Sequence, residues 1–504
     1  MKGFVFIYGS EIVLRFISTG AFSDLAKRHD LTYVALRSSS LLKEGGVDKQ
    51  LSSDVQKLEW IPFYPGRFDR WCELFDISCV LYQDRSSSFQ VRYQEQSRKD
   101  PERYARLMKF ARPGVYEKNR AAVEKDMGVH PDLLALTLRE RPDFFVLPSA
   151  LLDYGTDDVL QIADKLSIPT AMLVAGWDNL SSKGSIFHQP TVMGVWGEQS
   201  RRHAVEIQGT PPDRVHVIGA SHYEDFHAKD NIDRAKLRAA LGVPGNGRLI
   251  LFAGTFRLFD ETELLRELDQ AIDSGAMPPM HVLYRPHPWR AKRQSEDDFF
   301  SYAWHHVTMD PGMVSAYQAA KNGGDSAAPD DFVFRLKHLV EIYRSVDAVV
   351  SPMSTILLEA LLFGLPTMAV AFSDGKHSWS ADKVSQMYHF KELYQVPGMM
   401  TCRDRGDFFP MLQKLVSLST DKSLGATLCE STQQFVYRDS HSYAERVAEL
   451  VDCMLAGAGS GPTYDTVKIK PGKTFSPTSL ERAWSRTRTG LGKMKRLLKG
   501  RRTV

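Results

Sequence analysis

The sequence predicts an α/β fold with two domains, each built on a sheet of parallel strands. The chain has 504 residues, of which 43% are hydrophobic and 25% charged, which is an ordinary globular composition with length for two large domains. Short apolar runs alternate with segments of helical periodicity in both halves, as strand–helix–strand units require. The charged, glycine-containing stretch 225–247 separates the two series, so we expect domains at 1–235 and 236–456.

The first half contains seven apolar runs that predict strands. They lie at 4–8, 32–36, 58–63, 144–147, 170–174, 192–196 and 215–218. The first βα unit carries no G-x-G-x-x-G pattern, so a dinucleotide site is not supported. Residues 86–120 are rich in Arg, Gln and Tyr, and they predict either exposed helices or an insertion that faces the substrate.

A polar loop at 176–184 follows the predicted strand 170–174. It contains Trp177, Asp178, Asn179 and Lys183. Ligands of open parallel sheets bind beyond the carboxyl ends of the strands, so this loop is a candidate for substrate contact. The alternative interpretation is a turn in which Asp178 and Asn179 bond to their own backbone.

The second half repeats the pattern, and polar residues follow its strands. The predicted strands lie at 249–253, 281–284, 348–350 and 367–371. Gly254 and Thr255 come directly after the first of them, and Arg285-Pro-His-Pro ends the second. A helix is predicted over 353–363, which Gly364 and Pro366 then end.

The helix predicted at 353–363 is apolar except for one polar stripe. Ser351, Thr355 and Glu359 are spaced at i, i+4 and i+8 and would share one face. A buried polar stripe needs a partner, and a helix start with hydroxyls at Ser354 and Thr355 is a ready anion site. In the alternative interpretation the hydroxyls only cap the helix and Glu359 pairs with a neighbouring Arg.

Arg285 and His287 are placed at a strand end between two prolines, which restrict the backbone. Arginine binds phosphate through its planar fork, and His287 can donate to a phosphate oxygen or to the leaving group. If the strand ends share one crevice, these residues form an anion pocket. The predicted pocket has Glu359, further along the helix, as the acceptor for ribose or base groups of a nucleotide. Its phosphate-binding residues are Gly254, Thr255, Arg285, His287, Ser351, Ser354 and Thr355.

The second half of the chain resembles the carboxyl-terminal half of GT-B glycosyltransferases in two motifs. They are Arg285-Pro-His-Pro and, further along, Ser351-Pro-x-Ser-Thr-x-x-x-Glu359-Ala-x-x-x-Gly-x-Pro. Within these it is most similar to the group of bacterial capsule polysaccharide transferases, polysialyltransferases and CDP-glycerol glycerophosphotransferases. The stretch 195–220 also resembles the end of a GT-B amino-terminal domain.

The resemblance implies two Rossmann-like domains that face a cleft, with the donor on the second domain and the acceptor on the first. It implies that the His-Pro and Ser/Thr motifs hold the phosphates of a nucleotide-sugar, which is a substrate and not a cofactor. It also implies that no metal is required in most members, and the sequence contains no Asp-x-Asp.

Transfer to a hydroxyl needs a general base, which the resemblance places on a loop of the first domain. Asp178 is the first candidate, followed by Glu11 and Asp153. His377, in the loop after the predicted strand 367–371, is a candidate contact for the donor sugar or phosphate, and the alternative is a surface histidine.

We therefore predict a glycosyltransferase that moves a sugar from a nucleotide-activated donor to a glycan or lipid-linked acceptor in bacterial-type surface polysaccharide synthesis. Three alternatives remain open on the same architecture. They are a CDP-alcohol-dependent polyol-phosphate transferase, a nucleotide-sugar 2-epimerase-like enzyme and a non-catalytic binding scaffold.

The positive charge of the chain is concentrated at its end. Nine Lys or Arg and no acid lie at 482–502, and removing them takes the net charge from +3 to −6. We predict a flexible linker at 457–479 and a basic amphipathic tail at 480–504 that binds an anionic membrane surface; the alternative is a solvated disordered tail. An acidic body argues against nucleic acid as a partner. Five scattered cysteines and no 18-residue apolar run predict a cytoplasmic protein that is peripheral at the inner membrane face.

Overall fold

The structure of the chain is a computed structural model. It describes residues 1–37, 55, 57–112, 114–151, 155–227, 233–255, 258–287, 299–314, 332–459 and 461–474.

The first domain is built on a parallel sheet of seven strands in the order β3-β2-β1-β4-β5-β6-β7. The strands are β1 (Lys2–Ile7), β2 (Asp30–Arg37), β3 (Leu58–Pro62), β4 (Phe144–Ser149), β5 (Thr170–Val174), β6 (Val192–Val195) and β7 (Val215–Val217). Every residue of β4 is buried, as in a sheet covered by helices on both faces, and all seven predicted strands are confirmed. The strand order reverses between β1 and β4, which is where a parallel sheet opens a crevice for ligands.

Eleven described helices precede the second sheet. They are α1 (Ser10–Ile12, continued by a π-helical turn at Val13–Ile17), α2 (Ser23–Arg28), α3 (Pro65–Leu81), α4 (Ser87–Lys99), α5 (Pro101–Leu107), α6 (Val115–Met127), α7 (Pro131–Glu140), α8 (Gly155–Leu166), α9 (Asn179–Ser182), α10 (Glu198–Glu206) and α11 (Arg234–Ala240). Ten of them surround or extend the first sheet, and the last packs against the second domain, where its Arg238 pairs with Asp347 at 3.0 Å. Helices α3 to α6 form an insertion with its own apolar core around Trp71, Phe75 and Phe89. The prediction of helices over 86–120 is confirmed.

The second domain is built on a parallel sheet of six strands in the order β10-β9-β8-β11-β12-β13. The strands are β8 (Leu249–Ala253), β9 (His281–Arg285), β10 (Val307–Met309), β11 (Ala348–Pro352), β12 (Thr367–Val370) and β13 (Met399–Cys402). The described helices are α12 (Glu261–Asp273), α13 (Phe332–Ser345), α14 (Ile356–Leu362), α15 (Ala381–Val384), α16 (Phe390–Leu393), α17 (Phe408–Leu418) and α18 (Lys422–Ser431). The strand order reverses between β8 and β11, so the crevice of this sheet lies at their carboxyl ends.

The last described helix, α19 (Tyr443–Gly457), packs against the first domain. Tyr443, Val447 and Val451 join the apolar cluster that contains β1 residues. Arg446 donates from Nε to the Ile218 carbonyl at 2.8 Å. The predicted limit of the second domain at 456 is therefore wrong for this helix, because its apolar face is buried by the first sheet.

Residues 461–474 also cross back to the first domain, where a flexible linker is predicted. The backbone N–H groups of Thr463, Gly472 and Lys473 each donate to a first-domain carbonyl at 2.8 Å. Tyr464 and Ile469 pack on the core beneath. The prediction of a flexible linker is therefore wrong for this stretch. Its composition indicates loop structure, but it does not show that the loop packs on the first domain.

The predicted basic tail at 480–504 lies outside the described residues. Within the described ranges, no helix is long and apolar enough to span a bilayer. Membrane contact through the tail therefore stays a prediction.

Candidate functional site

Three residues of the predicted pocket meet where the strand order of the second sheet reverses. Arg285 ends β9 opposite Ala253 of β8, and the N–H of Gly254 donates to the Arg285 carbonyl at 2.8 Å. On the other side, the hydroxyl of Ser351 in β11 donates to the Ala253 carbonyl at 2.8 Å. The carboxyl ends of β8, β9 and β11 are thus joined by direct hydrogen bonds at one edge.

The remaining hydroxyls of the pocket lie at the start of α14. Strand β11 continues to Pro352 and the helix begins only at Ile356, with Thr355 as its N-cap. Ser351 is therefore a strand residue, and the predicted helical stripe of Ser351, Thr355 and Glu359 is wrong at its first member. The hydroxyl of Ser354 lies 2.9 Å from that of Ser351, and both Ser354 and Thr355 are partly exposed.

Gly254 and Thr255 are fixed by a carboxylate that the sequence analysis missed. The N–H of Thr255 donates to Glu261 at 2.7 Å, and the hydroxyl of Tyr284 donates to the other oxygen at 2.8 Å. A Cβ at position 254 would lie 2.5 Å from the Glu261 carboxylate, so only glycine fits here without a shift. Glu261 is fully buried and holds the loop against the end of β8.

Arg285 is buried in an ion pair with Asp310, the residue that follows β10. Asp310 also lies 2.6 Å from Nε2 of His338 and accepts from the N–H of Gly312 at 3.0 Å. Burial would raise the pKa of Asp310, but the hydrogen bond from His338 and the charge of Arg285 outweigh it and hold that pKa below its usual value. Asp310 therefore positions the guanidinium as an ionised partner.

His287 lies two residues beyond the end of β9 and is partly exposed. It belongs to the same edge of the sheet as Arg285 and Gly254. Pro288, the last residue of the motif, lies outside the described residues.

Glu359 bonds to one tyrosine from each domain. Tyr223, after β7, donates to one carboxylate oxygen at 2.9 Å, and Tyr343, on α13, donates to the other at 2.8 Å. Burial raises the pKa of Glu359 above its usual value, although both hydrogen bonds oppose the shift. The sequence analysis predicted a nucleotide contact or an ion pair with Arg, and it gave no signal for Tyr223.

The loop 176–184 lies at the contact between the domains. Trp177 is buried, and its ring packs edge-on against His389 at 4.9 Å and Phe390 at 5.5 Å. Asn179 is also buried and donates to the Asp178 carboxylate at 3.3 Å. The loop therefore joins the two domains through apolar contact.

Asp178, the first predicted base, is engaged within this loop. Its carboxylate lies 3.2 Å from Nζ of Lys183 and accepts from the hydroxyl of Ser182 at 3.1 Å. Burial would raise the pKa of Asp178, but Lys183 and His389 outweigh it and hold the pKa far below its usual value. A carboxylate with so low a pKa is a weak proton acceptor, so we do not assign Asp178 as the base.

Glu11, the second predicted base, is exposed on α1, just beyond the end of β1. It forms an ion pair with Arg15 at 2.8 Å. Arg15 donates to the Ala175 carbonyl and lies 5.8 Å from the centroid of Trp196. The third candidate, Asp153, lies outside the described residues.

His377 lies in the loop after β12 and is oriented by Asp374. Its Nδ1 lies 2.6 Å from the Asp374 carboxylate, which also accepts from the N–H of Asp260 at 2.7 Å. This contact directs Nε2 to the opposite side of the ring. The neighbouring Ser378 donates to Glu95 on α4 at 3.5 Å, so the loop reaches the first domain.

In the part of the chain that the structure describes, no group of three or more His, Cys, Asp or Glu residues could hold a metal ion.

Comparison with solved structures supports a GT-B-like architecture of two Rossmann-like domains. The complex of Staphylococcus aureus MnaA with UDP superposes with a TM-score of 0.51 at 11% identity, covering 94% of this chain and 100% of that one. The UDP-N-acetylglucosamine 2-epimerase of Rickettsia bellii gives 0.48 at 10% identity, with 90% and 97% covered. The wall teichoic acid polymerase TagF gives 0.35 at 12% identity, with 53% and 59% covered. No protein-family model and no curated protein matches the sequence.

Proposed function

We propose that this chain is a GT-B glycosyltransferase that transfers a sugar from a nucleotide-activated donor to a glycan or lipid-linked acceptor in surface polysaccharide synthesis, at the cytoplasmic face of a membrane. The observation that carries the proposal is the hydrogen-bonded junction of Gly254, Arg285 and Ser351 where the strand order reverses. Such junctions are where open parallel sheets bind nucleotides.

The residues of the junction form two groups: those that hold the strand ends in place, and a contact layer of partly exposed side chains that we assign to ligand binding. The Ser351 hydroxyl and one side of Arg285 are committed to Ala253 and Asp310, so they fix the strand ends. His287, Ser354 and Thr355 are partly exposed beside them, and we assign these side chains to the donor phosphates. Backbone N–H groups and hydroxyls at a strand end suit an oxyanion without requiring a metal.

The acceptor would approach from the first sheet, where Glu11 is exposed at the end of β1. Both carboxylates pair with a cation, Glu11 with Arg15 and Asp178 with Lys183, but the side chain of Glu11 is 52% exposed and that of Asp178 only 19%. We assign Glu11 as the general base because of this greater exposure. His377, oriented by Asp374, is assigned to the donor sugar.

A nucleotide-sugar 2-epimerase-like activity is the second candidate. The similarity to the UDP complex of MnaA covers almost the whole of both chains and favours UDP as the nucleotide. An epimerase converts its nucleotide-sugar without an acceptor. Incubation of the chain with a UDP-sugar alone, followed by NMR, separates it from a transferase, which leaves the sugar unchanged until an acceptor is added.

A nucleotide panel tests the donor site. Thermal melting is measured with CMP, CDP, UDP and GDP, and we expect one clear stabiliser. A nucleotide at a hundredfold excess over its Kd adds about 2.7 kcal/mol to the stability of the folded state. UDP fits a sugar transferase or an epimerase, CDP favours the CDP-alcohol-dependent polyol-phosphate transferase, and no response to any nucleotide favours a non-catalytic scaffold.

Point variants then locate the site. His287→Ala and Ser354→Ala should reduce the nucleotide-induced shift, and Arg285→Lys should do so because lysine cannot replace the planar fork. His441→Ala, at an exposed histidine outside the site, is the matched control. Each variant is first melted without nucleotide to establish that it folds. A full shift in His287→Ala and Ser354→Ala would exclude the assigned contact layer.

A further inference from the structure

The turn between α5 and α6 presents exposed apolar side chains. Phe110 and Val115 are each 40% exposed, and they are two of the six large apolar residues with this degree of exposure in the described part of the chain. Single exposed apolar residues are ordinary, but these two lie five positions apart on one turn of a helical insertion.

The same turn concentrates cations that have no acidic partner. Arg106, Lys109, Arg112 and Lys118 are exposed, and none of them forms an ion pair with another described residue. The acid in this stretch, Glu117, accepts the N–H of Gly114 at 2.8 Å and so caps the start of α6. We name residues 106–112 and 114–118 the α5–α6 tip.

Several cations elsewhere on the same insertion are paired. Arg98 lies 2.9 Å from Glu95, Arg103 lies 2.7 Å from Asp76, and Arg120 lies 3.6 Å from Glu124. Arg85 and Lys125, also on the insertion, are exposed without a described ion pair as well, but among its described residues the exposed large apolar side chains lie only at the tip, beside its four cations. A cationic surface with two exposed apolar side chains complements an anionic bilayer, which offers both phosphate charge and acyl chains.

The described part of the chain ends against the same insertion, shortly before the predicted basic tail. The N–H of Lys473 donates to the carbonyl of Met127, the last residue of α6, at 2.8 Å. Helix α6 has 13 residues and is about 20 Å long, so the tip and the root of the tail lie at its two ends. The 30 residues that follow 474 can span that distance several times over in extended form.

We propose that the α5–α6 tip is a second, folded contact with an anionic lipid bilayer, which acts together with the basic tail to hold the first domain against the membrane. Phe110 and Val115 enter the interface between headgroups and acyl chains, and the four cations contact lipid phosphates. The first domain, on which a lipid-linked acceptor would bind, is thereby the domain nearest the bilayer. This proposal does not depend on the chemistry performed in the cleft.

The test uses the full chain and sedimentation with phosphatidylcholine vesicles that contain either no or about one-third phosphatidylglycerol. Three double variants make the same change in charge. They are Lys109→Glu with Arg112→Glu in the tip, Lys495→Glu with Arg496→Glu in the tail, and Lys236→Glu with Lys414→Glu on the second-domain side as a control. Binding to the anionic vesicles should be at least about tenfold weaker for the tip and tail variants, should fall further when they are combined, and should be unchanged in the control.

A fourth variant, Phe110→Ser with Val115→Ser, separates a bilayer from a soluble polyanion. It should weaken vesicle binding while leaving binding to dextran sulfate unchanged. The proposal is overturned if the tip charge variant binds vesicles as the control does, or if the apolar variant binds vesicles as the wild type does. Melting curves of all variants identify any that fail to fold, and for these Lys109→Gln with Arg112→Gln replaces the charge reversal.

Discussion

Glu359 links the predicted donor site to the first domain through a hydrogen bond. Both carboxylate oxygens accept from tyrosine hydroxyls, and Tyr223 comes from the first domain while Tyr343 comes from the second. We expect a ribose hydroxyl that reaches Glu359 to compete with one of these tyrosines for the carboxylate. Tyr343 belongs to the same domain as Glu359 and Tyr223 does not, so we expect Tyr223 to be the partner that a nucleotide displaces.

Tyr223→Phe should therefore strengthen nucleotide binding. A hydrogen bond to a charged group contributes about 1.5–3 kcal/mol, and a nucleotide that displaces Tyr223 must first break this bond. We expect the Kd of the stabilising nucleotide to fall roughly tenfold in the variant, measured by calorimetric titration. The free energy of unfolding without nucleotide should decrease, because the buried carboxylate loses a donor.

Tyr343→Phe is the matched control, since it removes a hydroxyl from the other oxygen without affecting a contact between the domains. It should destabilise the protein to a similar extent but should not tighten nucleotide binding. If Tyr223→Phe tightens nucleotide binding no more than Tyr343→Phe does, Glu359 is a structural residue and has no part in binding ribose.

The short helix α9 and the loop before α16 form the element that joins the domains around Asp178. Burial, followed by the charge of Lys183, lowers the pKa of His389 to about 4, while Asp178 opposes this shift. His203, which faces the same contact from α10, has its pKa lowered to about 3, again mainly by burial. Both rings are neutral in the folded protein at neutral pH.

We expect the protein to lose stability in mild acid because these two histidines have lowered pKa values. A histidine with a lowered pKa binds fewer protons in the folded than in the unfolded state, so the stability that is fully present above about pH 6.5 decreases as the pH falls towards 4. For His389 alone the loss between pH 7 and pH 4 is about 3 kcal/mol. Melting temperatures measured across this range should fall more steeply for the wild type than for His389→Gln.

His441→Gln, at an exposed histidine, should retain the steep dependence of the wild type. An equally steep profile in His389→Gln and in a His203→Gln, His389→Gln double variant would show that the contact between the domains does not titrate in this range.

At the level of elements, the sequence predicts what local patterns encode. Each predicted strand is found because a buried parallel strand is a continuous apolar run, and this places Gly254 and Arg285 at strand ends correctly. The start of α14 is predicted three residues early, because β11 pairs with β12 as far as Pro352 and the helix begins only after a short turn. Partners such as Asp310 and Tyr223 come from distant segments, and local spacing does not identify them.

At the level of the whole molecule, the prediction of two domains is confirmed, but the chain does not remain in the second domain to its end. Helix α19 has an apolar face that could pack on either domain, so the sequence does not indicate that it packs on the first sheet. The same applies to residues 461–474, whose backbone hydrogen bonds from Thr463, Gly472 and Lys473, and whose side-chain contacts through Tyr464, Asp465 and Lys473, go to first-domain residues distant in the sequence. The last described residues therefore pack on the first domain and contribute to its stability.

Truncation of the chain before residue 461 tests how much these contacts contribute to stability. Residues 461–474 close over the buried guanidinium of Arg67, which pairs with Asp158 at 2.5 Å and donates to the Lys473 carbonyl at 3.2 Å. A chain that ends at 459 loses three backbone hydrogen bonds to the first domain and the burial of two apolar side chains, so its free energy of unfolding should fall by roughly 3–6 kcal/mol.

A chain that ends at 474 keeps every one of these contacts and serves as the control. Its urea unfolding curve should match that of the full chain, while the chain ending at 459 unfolds at lower urea and exchanges the amide hydrogens of α6 faster. Equal stability of the two truncated chains would mean that residues 461–474 only rest on the first domain. A large difference would mean that residues 461–474 are a structural part of the first domain, although they follow the second domain in the sequence.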